Sequence, residues 1–211
     1  MMYLSGIESA VKILGGIYAL ITFLFIFWGI WGGLNRSIDL SKFSIPPIFR
    51  SLAFYVITTG LYFGFCFLIW RPIPLNVSVL AQYVSSGIGC LLYFLGLTFV
   101  LWGRLTLGHF YNVSSSFGAP LYTDHQLITH GPYSIIRHPM YFGIFITGLG
   151  GLLLYRTWTL VFIALNMLGL IIRALREEQA LEKEFNGQWQ EYCRRVPAWF
   201  PRIGSQLLRK S

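Results

Sequence analysis

Residues 140–172 read MYFGIFITGLGGLLLYRTWTLVFIALNMLGLII, two short apolar stretches joined at Arg156-Thr157. Stretches of this length with so short a joint predict a tight helical hairpin and leave room for little else. The consequence is geometric. Whatever precedes Met140 and whatever follows Ile172 must return to the same membrane face. Two polar blocks, 131–141 and 173–199, therefore become neighbours in space. The first packs Gly131-Pro132-Tyr133-Ser134-Ile135-Ile136-Arg137-His138-Pro139-Met140-Tyr141 against the start of the hairpin. A cation, an imidazole and two phenols on a proline-stiffened backbone at the lip of a membrane are costly unless they bind something.

The rest of the chain fits a membrane setting. Of 211 residues, 55% are hydrophobic and only 11% charged, with a mean hydropathy of +0.60, where a soluble domain carries about 25% charged residues. Residues 13–35, 51–70, 72–103, 140–155 and 157–172 carry no charge. Each window reaches or approaches the roughly 17–25 residues that cross about 30 Å of hydrocarbon. The expected fold is all-α and polytopic, with about five transmembrane helices ending in the helical hairpin.

Basic residues set the expected orientation. With the N-terminus outside, thirteen Lys/Arg, including Arg36, Lys42, Arg50, Arg104 and Arg137, fall on the cytoplasmic side, against Lys12, Arg71 and Arg156 outside. The positive-inside rule then predicts N-terminus out and C-terminus cytoplasmic. The net charge of +8 reads as topology and attraction to anionic membrane lipids, not as a nucleic-acid surface, because little soluble chain exists to carry one. No basic n-region or cleavage site marks a removable leader, so the first span is expected to be retained. Cys66 and Cys90 in spans and Cys193 in the tail suggest neither a disulfide framework nor a zinc site, and no prenylation-type cysteine closes the sequence.

Residues 1–103 read as a transmembrane scaffold of three helices, and 104–211 as the catalytic region with two short spans and a cytoplasmic tail. Residues 1–123 hold only two acids, Glu8 and Asp39. Gly60-x-x-x-Gly64 predicts close helix packing in the second span, while Pro46-Pro47 and Pro72-x-Pro74 mark turns. From Arg104 to Arg137 the chain turns polar, with His109, Tyr111, Asn112, Ser114 to Ser116, Asp124, His125, Thr129 and His130. So long a re-entry that keeps its aromatics reads as functional. The glycosylation triplet at Asn112 falls on the predicted cytoplasmic side, and the one at Asn76 lies too near the membrane to count.

Five of the eight acids lie between Glu177 and Glu191. Arg173, Arg176, Glu177, Glu178, Glu182, Lys183 and Glu184 follow a helical rhythm, which on its own describes a solvated, salt-bridged helix. Gly187 breaks that helix, and Trp189, Tyr192, Trp199 and Phe200 read as an interfacial aromatic belt. The hairpin adds a second reading, because it returns Glu177 and Glu178 to Tyr133, Arg137 and His138. Carboxylates, one Arg and aromatic faces suit a zwitterionic ligand with a second cationic centre, such as a sulfonium.

Gly-Pro-Tyr-x-x-x-Arg-His-Pro-x-Tyr, then Arg-x-x-x-Glu-Glu-x-x-Leu-x-x-x-Phe after the hairpin, then Tyr192, Val196-Pro197 and Pro201, resembles the isoprenylcysteine carboxyl methyltransferase family. That family groups with phospholipid N-methyltransferases and other integral-membrane methyltransferases. The resemblance covers about residues 104–203; before them the chain is similar only in having several spans. It implies S-adenosylmethionine as methyl donor, held at the cytoplasmic face. It also implies that Leu127, Ile128, Gly131 and Tyr133 line the adenosine, that His138, Met140 and Tyr141 border the cofactor, and that Glu177 or Glu178 takes its amino group. Arg137 would hold the acceptor, and Arg137, Glu177 and Glu178 are the expected catalytic residues. Asn186 departs from the family's Phe-Gly, which shifts the register of the tail.

Methyl transfer from a sulfonium is an in-line displacement, so alignment and desolvation supply much of the rate. A carboxylate acceptor needs no base; an amine or thiol must lose a proton, which His138 or a glutamate could take. The sequence contains both kinds of residue and does not choose. The acceptor is expected to be a lipophilic or lipid-anchored molecule entering from the bilayer. An isoprenylcysteine carboxylate stands first, with phospholipid N- or thiol S-methylation as the alternatives. An NADPH-dependent sterol-reductase-like enzyme and a non-enzymatic membrane protein are the rivals. His138 could instead cap the fourth span, Arg137 could serve as a positive-inside anchor, and Tyr155, Arg156 and Trp158 read as an outer-interface anchor. The spacings among His109, His125, His130 and His138 fit no histidine-box pattern, so no metal is expected.

Overall fold

A computed structural model of the chain describes residues 2–34, 51–108 and 126–201. Within them the chain forms α1 (Met2–Leu34), α2 (Leu52–Leu68), α3 (Val79–Leu107), α4 (Pro139–Tyr155), α5 (Trp158–Met167), α6 (Gly169–Phe185) and α7 (Gly187–Arg195), with one 3-10 turn at Gly131–Ser134. Among the described residues the only β-pairing is an isolated bridge between Pro72 and Thr157. The architecture is the all-helical membrane fold anticipated from the sequence. Three helical stretches, Gly6–Trp28, Val79–Leu107 and Trp158–Phe185, are long and apolar enough to cross a membrane. Leu52–Leu68 and Pro139–Tyr155 are shorter apolar helices.

The hairpin forms where its sequence predicts. Arg156 turns the chain in a left-handed conformation, φ 53°, and caps α4 through its N–H to the Leu152 carbonyl. The second arm does not stop at Ile172. After a tightened turn at Leu168 it continues as α6 to Phe185, so the apolar arm and the acid-rich segment form one nearly continuous rod. That rod carries Arg173, Glu177 and Glu178 on beyond the apolar arm.

The central seam runs between α3 and α4 and is built on glycines. Gly89, Gly96 and Gly103 recur every seventh residue along α3; Gly89 faces Gly150 of α4, Gly96 faces Gly143, and Gly103 faces Pro139 and Met140. A Cβ at Gly143 would lie 2.7 Å from the Gly96 carbonyl oxygen, and one at Gly89 would lie 2.9 Å from that of Gly150. Lipid gives helices no hydrophobic reason to associate, so close backbone approach and dispersion must hold them. The expected packing at Gly60-x-x-x-Gly64 does not occur: a Cβ at either position meets nothing within 4 Å among the described residues. The spacing of four was visible there, but that face of α2 points away from the seam.

Residues 71–73 and 156–158 pair at the end of the bundle opposite the acid-rich segment, with Ile73 N–H donating to the Arg156 carbonyl at 2.8 Å and Trp158 N–H to that of Arg71 at 3.0 Å. There the Glu8 carboxylate accepts from Arg156 at 2.5 Å and from Lys12 at 2.8 Å. The Tyr155 hydroxyl donates to the Lys12 carbonyl at 2.7 Å. Arg156 and Tyr155, read from the sequence as an outer-interface anchor with Trp158, are thus also ties between the hairpin turn and α1; Trp158 alone of the three is exposed.

Candidate active site

Pro139 opens α4, fixing φ at a position where its missing N–H costs nothing. His138 stands at the N-cap, but its side chain makes no cap. Instead the backbone N–H groups of Arg137 and His138 donate to the carbonyls of Pro197 and Ala198, at 2.8 and 3.1 Å. This clamp frees both side chains to turn toward α6. His138 Nε2 lies 2.9 Å from Oε1 of Glu178, and Arg137 Nη2 lies 3.0 Å from the same oxygen. Among the described residues no hydrogen bond reaches Oε2 of Glu178. One position back, Glu177 Oε1 accepts from the Tyr141 hydroxyl at 2.6 Å and faces Arg173 Nε at 3.6 Å. The Arg173 guanidinium lies over the Tyr141 ring, 5.9 Å from its centroid. Burial pushes the Glu178 carboxyl up, but the hydrogen bond from His138 and the Arg137 charge outweigh it and hold it below its ordinary range.

The helix rhythm of the sequence had offered Glu178 a solvated, same-helix role. Its partners are across the site instead, and only Arg173–Glu177 keeps the i,i+4 form there. Arg137 also lies over Trp189, 5.5 Å from the ring centroid, and its Nε is buried with no partner among the described residues. An unpaired buried donor of a cation is costly and suits an anionic group arriving there.

Below this ion-pair layer, α7 forms a small core. Trp189 is 4% exposed and Tyr192 3%, so neither belongs to an interfacial belt, as the sequence had suggested. With Val196 they pack against Leu127, Leu181, Phe185 and Cys193. The Tyr192 hydroxyl donates to the Tyr133 carbonyl at 2.6 Å, and burial raises its pKa, which keeps it a donor. Burial likewise raises that of Cys193. Gly131 takes φ 61° and sits so close to Thr106 of α3 that a Cβ would lie 2.9 Å from its hydroxyl.

The hairpin therefore assembles Arg137, His138, Tyr141, Glu177 and Glu178 into one cluster. Leu127, Gly131 and the Tyr133 backbone lie on the adjoining α7 core and α3, with Ile128 half-buried beside Leu127. Met140 is directed into the seam, where its Cγ lies 2.7 Å from the position of a Cβ on Gly103. His109, Tyr111, Asn112, Ser114 to Ser116, Asp124 and His125 lie outside the described residues, as do Pro46-Pro47. Among the described residues no cluster of three or more His, Cys, Asp or Glu could hold a metal. Sequence reasoning placed Trp199 in the aromatic belt and not at the site, yet its ring lies 5.3 Å from that of His138, 6.3 Å from Tyr141 and 5.8 Å from Phe145. Its only signal was an aromatic two residues after Pro197.

The phospholipid methyltransferase family profile matches residues 84–188, a span that runs from the glycine seam through the paired carboxylates. Over those residues the chain is similar to the phospholipid methyltransferase family. Relatives in and around this family are similar over parts of the chain. The protein-S-isoprenylcysteine O-methyltransferase of Schizosaccharomyces pombe is 35% identical over 82 residues, 38% of this chain and 35% of that one. The Delta(14)-sterol reductase TM7SF2 of Mus musculus is 38% identical over 86 residues, 37% of this chain and 19% of that one. The methanethiol S-methyltransferase of Pseudomonas deceptionensis is 27% identical over 164 residues, 74% of this chain and 61% of that one. The matches thus span between about a fifth and three fifths of these relatives' lengths. The first of them agrees with the kinship that the Gly131 and Glu177 motifs suggest.

Proposed function

We propose that this protein transfers the methyl group of S-adenosylmethionine to a lipophilic acceptor, with an isoprenylcysteine-type carboxylate first among acceptors. The observation that carries this reading is the paired constellation of Glu178 with Arg137 and His138, and Glu177 with Tyr141 and Arg173. Its donor set fits the cofactor. Two carboxylates answer an α-ammonium and the faces of Tyr141, His138 and Trp199 answer a sulfonium, while Arg137 Nε, without a partner among the described residues, is left to answer the acceptor's carboxylate. The match to the phospholipid methyltransferase profile supports the same activity, and the isoprenylcysteine methyltransferase relative supports the acceptor.

When bound, S-adenosylmethionine supplies an electrophilic methyl on sulfur, whose transfer breaks one S–C bond and forms one bond to the acceptor. The residues of this chain bind and orient. Glu178, whose Oε1 is held by His138 and Arg137, would hold the ammonium. Glu177, pinned by Tyr141 and Arg173, keeps that side of the pocket negative. Arg137 places a carboxylate acceptor, which needs no base. The Leu127–Tyr133 segment, fixed by Tyr192 and the α7 core, would line the adenosine. A clustered, partly buried arrangement of this kind loses little on reorganisation as the reaction proceeds. The site face is assigned to the cytoplasm on the distribution of Lys and Arg, with 104–211 as the catalytic region.

Thiol S-methylation is the second reading, favoured by the longer match to methanethiol S-methyltransferase. It requires His138 to take a proton. Transfer of labelled methyl to a prenylcysteine analogue and to methanethiol, measured side by side, separates the two. A titration with NADPH addresses the reductase kinship; stabilisation by NADPH and not by S-adenosylmethionine would reject methyl transfer.

A further inference from the structure

Trp189 and Tyr192 stand three residues apart on α7, a spacing that puts both side chains on one face, and their rings lie 5.6 Å apart. Tyr192 ties that face to the Tyr133 carbonyl at 2.6 Å. Trp189 reaches Arg137, whose guanidinium carbon lies 5.5 Å from the ring centroid. The two contacts dock α7 along residues 133–137, and the Arg137 N–H adds a third by donating to the Pro197 carbonyl at 2.8 Å. Trp189 is 4% exposed and packed with Tyr192 and Val196, so it has little room to move away from the cation. Filling that core takes only apolar volume; a guanidinium needs a ring face. Arg137 makes one ion pair among the described residues, from Nη2 to Glu178 Oε1. A single contact fixes one point of the guanidinium and leaves its plane free to turn about that point. The Trp189 ring restricts the turn. With the Arg137 side chain only 14% exposed, little water competes for the face, which is the setting in which a cation over an indole is strongest.

We propose that Trp189 is a positioning residue for Arg137: it holds the guanidinium in the orientation that receives the acceptor's carboxylate, and so lets the site tell a free carboxylate from its ester. This rests on the reading of Arg137 as the group that places the acceptor. Trp189 touches no reacting atom and acts through Arg137. A guanidinium already oriented meets a carboxylate without losing its rotamer freedom at that moment. Under that reading the acid is the substrate and the methyl ester the product. The same orientation that holds the one therefore releases the other.

The test is equilibrium binding of N-acetyl-S-farnesylcysteine and of its methyl ester to the full-length protein in lipid nanodiscs, with S-adenosylmethionine titrated separately. The two probes share their apolar chain, and each partitions into the membrane equally for every variant. A change in the acid-to-ester affinity ratio between variants therefore reads the hold on the carboxylate. Loosened packing in the α7 core would weaken both probes together and leave the ratio where it was. Arg137→Gln should lower the ratio by at least about thirtyfold. Trp189→Leu should lower it by about tenfold, which is about 1.4 kcal/mol, and Trp189→Phe, which keeps a ring with a weaker face, by about threefold. In the Arg137→Gln background neither Trp189 variant should lower it further. If Trp189→Leu fails to fold, Trp189→Phe in the two backgrounds carries the test. A ratio that depends on Arg137 and not on Trp189 overturns the inference and leaves the carboxylate reading standing. A wild-type ratio no higher than that of Arg137→Gln overturns both. A Trp189-dependent ratio in a protein that binds no S-adenosylmethionine removes methyl transfer and leaves the positioning role in place.

Discussion

His138 and Glu178 meet at 2.9 Å across forty residues of sequence, and the hairpin between them exists in the fold to make that meeting possible. Because Arg137 shares the same carboxylate oxygen, the three side chains act as one unit. Removing one member leaves the others incompletely paired in a partly buried setting.

Glu178→Gln should therefore weaken S-adenosylmethionine binding by at least about tenfold and destabilise the protein by about 1–3 kcal/mol. Isothermal titration and thermal melting in nanodiscs measure both. Unchanged affinity in Glu178→Gln, in Glu177→Gln and in the double variant would remove both acids from the donor site.

The same carboxylate predicts a pH response. Its folded pKa is lowered from 4.5, so its ionised form contributes stability that is fully present above that value. The contribution is lost as pH falls through the lower folded pKa. The melting-temperature gap between wild type and Glu178→Gln should be constant at neutral pH and narrow below about pH 4.5. A gap that widens on acidification would show that the carboxylate is not held in its charged form.

Arg137 and the donor groups should separate kinetically. Arg137→Ala is expected to lower kcat for a prenylcysteine carboxylate by at least about a hundredfold, with a smaller loss of S-adenosylmethionine affinity. A pure affinity loss would move Arg137 to the cofactor.

The two glycine patterns give opposite expectations. Gly96→Leu or Gly143→Leu drives a side chain into the facing backbone and should cost about 3 kcal/mol or more, or prevent folding. Gly60→Ala meets open space among the described residues and should leave the melting temperature within about 2 °C. Equal tolerance at both sites would contradict the seam.

What the sequence made legible follows from physics that acts over short range. Absence of charge marked the spans, Arg156-Thr157 marked the hairpin, and the hairpin alone was enough to pair 137–138 with 177–178. The seam was harder to read. A seven-residue glycine spacing shared between Gly89, Gly96 and Gly103 is informative only once the partner face at Gly143 and Gly150 is known, whereas Gly60-x-x-x-Gly64 advertises a local motif that found no partner among the described residues. Trp189 and Tyr192 look the same in sequence whether they float at an interface or fill a core. Their burial depends on how α7 folds back after Asn186, whose φ of 39° the composition does not announce. Trp199 depended on the clamp to residues 137–138, a backbone pairing without a side-chain signature. The tie of Arg156 to Glu8 joins residues 148 positions apart, beyond the reach of any local pattern.

The central claim is that the hairpin assembles a donor site on Glu177 and Glu178. The most direct measurement is equilibrium binding of S-adenosylmethionine to the purified full-length protein in nanodiscs, set beside the Glu177→Gln/Glu178→Gln double variant and beside NADPH. The account predicts saturable S-adenosylmethionine binding to the wild type, a loss of at least about a hundredfold in the double variant, and no comparable affinity for NADPH. Equal binding by wild type and double variant, or binding of NADPH in place of S-adenosylmethionine, would contradict it.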